Sequence, residues 1–143
     1  MVEFIVLGNP IALKRHRHYK FGTYDPSKKD KENFYLKAFR HRPIKALGGR
    51  VFADIKFYMQ RPKSHYRTGK FQHLLKDNAP NYYHSKKPDI DNLIKFVLDT
   101  IQGRDRFILD DSMVCSLKAE KIYTSNNEEP RTEVKLFELE GGN

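Results

Sequence analysis

Apolar and polar positions alternate through "RVFADIKFYM", with Val51, Ala53, Ile55, Phe57 and Met59 on one side and Asp54, Lys56 and Tyr58 on the other. A period of two predicts a strand, closed by Pro62. Val2 to Leu7 is a short apolar, β-branched run that ends at "GNP", a strand followed by a turn. The period lengthens after Asp25–Pro26, which resembles an N-cap and first helical position: Phe34, Tyr35, Ala38 and Phe39 predict a helix from about Pro26 to Arg40. A stronger helical stripe joins Ile90, Leu93, Ile94, Val97, Leu98 and Ile101 and stops near Gly103. "SMVCSLKAEKIY" and "RTEVKLFELE" predict two more strands, joined by the turn-rich "TSNNEEP".

Two stretches have no sustained period. "LKRHRHYKFG" reads as a basic loop, and about Gln60 to Pro88 is a long irregular segment with seven Lys/Arg against one Asp. Segments of that length without regular structure are usually functional or disordered. The order β, α, β, long loop, α, β, β predicts an α+β (mixed α/β) fold: one domain over residues 1–143, with a mixed β-sheet of about four strands and two main helices.

Composition narrows the function classes. At 38% hydrophobic and 31% charged, 143 residues suffice to bury one core, and no apolar run approaches the roughly 18 residues of a membrane span. "MVEFIVLGNP" lacks a basic start and carries Glu3, so it reads as a strand rather than a secretion signal, and a cytoplasmic protein is expected. Cys115 is the single cysteine, which excludes an intrachain disulfide and a cysteine zinc site; mid-strand, it is expected to be an inert buried thiol. The net charge of +9 is uneven: residues 1–88 hold 20 Lys/Arg and 6 Asp/Glu, residues 89–143 hold 7 and 12. Such a basic surface suits a polyanion, nucleic acid first, although a solvated basic face is the plainer alternative.

Against that background "KKPDIDNLIKF" stands out. On extended chain, side chains two apart point the same way, so Asp89 and Asp91 present two carboxylates just before the helix. Asp91 alone is explained by capping. Two adjacent carboxylates repel unless a cation joins them, and hard oxygen donors suit Mg2+ or Mn2+. Asp110 and Asp111 form a second acidic pair; if the strand starting near Ser112 lies beside the start of the helix, three or four carboxylates converge, an arrangement for metal-assisted phosphodiester hydrolysis. Lys95 stands at i+4 from Asp91, either a surface ion pair or an ammonium that stabilises charge on a phosphate. Asp99 reads as structural, paired with Lys95 or another basic residue; Asn92 is an ordinary helix residue or an amide that orients the aspartates.

Lys86, Pro88, Asp89, Asp91, Asn92, Leu93 and Lys95, followed by Leu98–Asp99, Gly103 and Asp110–Asp111, with "RPKSHY" upstream, resemble the RusA-type Holliday-junction resolvases. The resemblance implies that Asp89, Asp91 and Asp111 form the metal-binding catalytic set, with Asp110 as the neighbouring alternative, and that Lys95 is needed. It also implies a magnesium-dependent homodimer that resolves four-way branched DNA by paired nicks in recombination and repair, in the cytoplasm of a bacterial or phage-infected cell.

Arg15, Arg17, Lys20, Arg61, Lys63, Arg67, Lys70, Lys86 and Lys87 are candidate contacts to the DNA backbone, which position it without reading sequence. His16 and His18 belong with them rather than with a metal, because none of the six histidines has paired helical spacing with an acid. Tyr66, Phe71, Tyr82 and Tyr83 either stack on opened bases or pin the long loop to the core. Two other readings fit the same residues: a structure-specific DNA-binding protein that does not cut, and a nuclease for flaps or other branched DNA.

Overall fold

A computed structural model of the chain describes residues 1–15 and 17–139; His16 lies outside the described residues. The elements are β1 (Val2–Leu7), β2 (Arg17–Tyr19), β3 (Gly22–Tyr24), α1 (Lys28–Ala38), β4 (Val51–Met59), α2 (Ile90–Ile101), β5 (Val114–Tyr123) and β6 (Arg131–Glu138). The main sheet is mixed, in the order β1-β6-β4-β5: β6 is antiparallel to both β1 and β4, while β4 and β5 run parallel. The fold is the expected α+β arrangement.

Alternation in β4 decides where the core lies. Val51, Ala53, Ile55, Phe57 and Met59 are buried, and the two helices cover that side. α2 buries Leu93, Phe96, Val97, Thr100 and Ile101. Each fully buried Leu, Ile or Phe contributes about 1.5–3 kcal/mol, so this stripe fixes the helix on the sheet. Phe34 of α1 meets Phe96 edge-on at 5.6 Å, and Phe4 lies 4.6 Å from Phe107. α1 touches β1 and α2 touches β5, so α2 is the helix nearer the β5 edge.

β4, α2 and β5 form a crossover unit. α2 runs back against the strands and ends at Gly103, whose φ of +141° is accessible to glycine and rare for other residues. The segment after it closes tightly, with Gly103 N donating to Ile108 O at 2.8 Å, and delivers the chain to the start of β5.

Several expectations need correction. The basic loop after Leu13 contains a small hairpin, β2 with β3. α1 starts two residues after Pro26; Ser27 occupies the N-cap, and Asp25 instead accepts from Ser27 N at 2.9 Å. Cys115 is exposed rather than buried, because β5 is an edge strand. The 60–88 segment is irregular as expected, broken by 3-10 turns at Lys63–His65 and Gly69–Phe71. Its last residues lie on the edge of β5: Tyr123 N donates to Tyr82 O at 2.8 Å and His84 N to Lys121 O at 2.9 Å.

Candidate active site

Asp89 is the N-cap of α2 by position, yet its side chain makes no capping bond. Asp91 follows in the first turn. Among the described residues neither carboxylate pairs with a cation or accepts a hydrogen bond, and both are exposed. The capping explanation therefore does not account for either. The positive end of the helix dipole favours negative charge there, which lowers the cost of holding two anions together.

The pair opens into a groove of about 580 Å³, also lined by Lys86, Lys87, Glu120 and Lys121. Lys121 fixes the groove: its ammonium donates to Pro88 O at 2.6 Å and to Lys86 O, tying the end of the long loop to β5. Glu120 accepts from the Tyr82 hydroxyl at 3.1 Å, and the Tyr82 and Tyr83 rings meet edge-on at 4.6 Å. Behind them, burial pushes the His84 imidazole below the ordinary histidine value, and the nearby Lys121 adds to the shift. His65, whose ring also lies 4.9 Å from that of Tyr123, is lowered by burial and then by Arg61.

The C-terminal end of α2 treats its acids differently. Asp99 pairs with Lys31 of α1, which also reaches Asp25 at 2.6 Å. Asp99 is thus structural, with Lys31 as its partner and not Lys95. Gln102 links the helix to the next turn, donating to Asp99 Oδ1 at 3.1 Å while its Oε1 accepts from Asp111 N at 3.0 Å. Asp110 accepts from Ser112 N at 2.9 Å as the cap of the Asp111–Met113 turn, and hydrogen bonding from the Ser112 side chain, then from its backbone, holds its carboxyl below the usual carboxylate range. Asp111 is exposed.

The four carboxylates do not converge within one chain. α2 rises about 1.5 Å per residue, so its C-terminal end, where Gln102 holds Asp111 N, lies roughly 18 Å along the helix from Asp89 and roughly 15 Å from Asp91. The strand that follows α2 starts beside the helix's C-terminal end, not beside its start. Among the described residues no group of three or more His, Cys, Asp or Glu is placed to hold a metal ion. What one chain offers is a pair of hard oxygen donors in an open groove, a set that suits a small divalent cation keeping several waters.

Among the basic candidates, Lys86 and Lys87 line the groove, Lys63 lies beside it with His65 and Lys86, and Arg15, Lys20 and Lys70 are exposed. Arg17 lies in β2. Arg67 donates to Asp77 at 3.2 Å. Arg61 is the exception: buried at 7% exposure, its guanidinium donates to Thr124 O and Pro80 O, both at 2.7 Å, so it clamps the loop and is not available to DNA. Lys95 is exposed and forms no ion pair with Asp91. Tyr82, Tyr83 and Phe71 are exposed, Tyr83 the most at 67%.

Sequence reasoning missed Lys121 and Glu120. The register pairs Ala53 with Leu117, Ile55 with Ala119 and Phe57 with Lys121, so Lys121 occupies a core-facing position of its strand. A lysine in that register is the signal that marks a polar opening in the core layer.

The family model described as endodeoxyribonuclease RusA matches residues 8–137. The uncharacterized protein YqaN of Bacillus subtilis (strain 168) is 35% identical over 144 residues, covering 96% of this chain and 96% of its own length.

Proposed function

The chain belongs to the RusA endodeoxyribonuclease family, and from that premise we propose that it is a magnesium-dependent endonuclease, working as a homodimer, that resolves four-way DNA junctions by two symmetric nicks. The observation that supports this most is the pair Asp89 and Asp91, two carboxylates without a hydrogen-bond or ion-pair partner among the described residues, in a groove that Lys86, Lys87 and Lys121 also line. A protein that only bound DNA would gain nothing from unneutralised carboxylates beside phosphate.

When bound at these carboxylates, Mg2+, or Mn2+ in its place, supplies an activated water and screens the charge of the scissile phosphate. Asp89 and Asp91 would hold it; Asp111, the third carboxylate of the set the resemblance implies, lies at the opposite end of α2 within one chain. The chain itself does the positioning. Lys121 fixes the Pro88 carbonyl and so the approach to Asp89. Lys95, one turn after Asp91, places an ammonium where charge builds on the phosphate. Lys86 and Lys87 hold the DNA backbone at the groove, and the exposed Arg15, Lys20, Lys63 and Lys70 extend the contact along the arms. Such a protein acts in recombination and repair in the cytoplasm of a bacterial or phage-infected cell.

The test is incubation of the purified protein with end-labelled four-way junction, flap and linear duplex, with Mg2+ and with chelator. Paired nicks on the junction in Mg2+ alone are expected. Cutting confined to flaps redirects the substrate, and tight junction binding without any product overturns the nuclease reading.

A further inference from the structure

We propose that the hollow beside the groove, between the turn at Lys63–His65 and the edge segment ending at His84, is a phosphate pocket that seats the DNA phosphate next to the scissile one, with Lys63 and Lys86 as its charged contacts. This deepens the reading of the groove as the cleavage site and rests on it.

The groove and the hollow adjoin. His84 and Lys86 line both, so a strand whose scissile phosphate lies in the groove continues along that wall into the hollow. Their charges differ. Asp89, Asp91 and Glu120 stand in the groove among its lysines, whereas the hollow, of about 490 Å³, has Arg61, Lys63 and Lys86 on its walls and, among the described residues, no carboxylate. Three cations in an acid-free hollow repel a metal ion and attract an anion.

The histidines register the same field. His65 and His84 are held below the ordinary histidine value by burial first, and then by Arg61, Lys76 and Lys86 at His65 and by Lys121 at His84. Among the described residues no anion of the chain lines the hollow to meet that potential.

The shape is held from behind. Arg61 spends its guanidinium on Thr124 O and Pro80 O, so its charge stays in the wall while Lys63, Ser64 and Lys86 remain exposed at the mouth. His65 N donates to Pro62 O at 3.0 Å, which closes the turn, and His84 N to Lys121 O at 2.9 Å, which fixes the other side to β5. A pocket set before DNA arrives loses little freedom on binding, so its contacts to one phosphate convert to affinity. Seating that phosphate also fixes the scissile one relative to Asp89 and Asp91.

Four-way junctions carrying a single uncharged methylphosphonate, placed at each phosphate around the cut in turn, are bound by wild type and by Lys63→Ala in chelator, so that affinity is read without cleavage. The cut is mapped on the unmodified junction in Mg2+. At one phosphate adjoining the cut, the methylphosphonate is expected to weaken wild-type binding about 10-fold and Lys63→Ala binding by less than about twofold, because the charge it removes has already lost its partner. Lys86→Ala, which removes the second contact, is expected to blunt the same position. Sensitivity undiminished in either variant, or blunted only at phosphates remote from the cut, overturns the pocket while Mg2+-dependent nicking by the wild type leaves the nuclease reading standing. A wild type that nicks no DNA overturns both.

Discussion

The two ends of α2 carry the same residue type and use it oppositely. At the N-terminal end, Asp89 and Asp91 have no hydrogen-bond or ion-pair partner among the described residues and line an open groove with Lys86, Lys87 and Lys121. At the C-terminal end, Asp99 is held by Lys31 and Gln102, and Asp110 is spent on capping a turn. Both ends are acidic and near the surface, so composition does not separate them. The difference lies in which neighbours the fold supplies: α1 brings a lysine to Asp99, while Lys121, in the groove with Asp89 and Asp91, is committed to two backbone carbonyls. A carboxylate left with its charge exposed at a helix N-terminus keeps its capacity for an external cation. One already paired contributes stability instead.

The largest test of that contrast is Asp91→Asn. Cleavage should fall about 10³-fold, as several kcal/mol of metal-derived stabilisation are lost. Junction binding in a gel shift should be retained or tightened, since a repulsive charge near phosphate disappears; loss of binding would mean that Asp91 holds the fold together. Lys95→Ala should lower turnover about 10-fold with unchanged melting temperature. Turnover near wild type would make Lys95 a bystander on the exposed face. Asp99→Asn should act in the other currency, lowering stability by about 0.5–1 kcal/mol in urea while nicking stays within about twofold of wild type. A large fall in nicking with intact stability would place Asp99 in the site and erase the contrast.

The reading of β1 and β4 from apolar period matched to the residue, and the α2 stripe matched to within two residues, because each depends only on local repetition. What period does not carry is the placement of ends. That Asp111 lies away from Asp91 follows from the crossover: a strand joined to a helix by a short segment begins where the helix stops. The burial of Arg61 was hidden for a different reason. Its hydrogen-bond partners are the carbonyls of Pro80 and Thr124, 19 and 63 residues away, and backbone carbonyls leave no mark in a sequence. Cys115 misled because an apolar strand position predicts burial only for a strand with neighbours on both sides, and strand order is a tertiary property.

The smallest effect expected is one of acid, and it again separates the two ends. His65 and His84 both pack against the Tyr123 ring, and both are held below the ordinary histidine value by burial first and by cationic neighbours second. The folded chain therefore keeps them neutral where the unfolded chain already takes up protons. Their contribution to stability is fully present above about pH 6.5, the unfolded value, and is lost as pH falls through the lower folded values. At the other end Asp110, with its carboxyl held low by Ser112, loses its hydrogen-bonded form only at pH values below the unfolded carboxylate range. Melting temperature should accordingly decline between pH 7 and pH 5 in the wild type, and the decline should be shallower in a His65→Gln, His84→Gln double variant. Asp110→Asn should leave that slope unchanged over the same interval. Parallel wild-type and double-variant curves would show that the imidazoles are solvated in the folded state, and that the wall behind the groove is less closed than the packing of His65, Tyr123 and His84 requires.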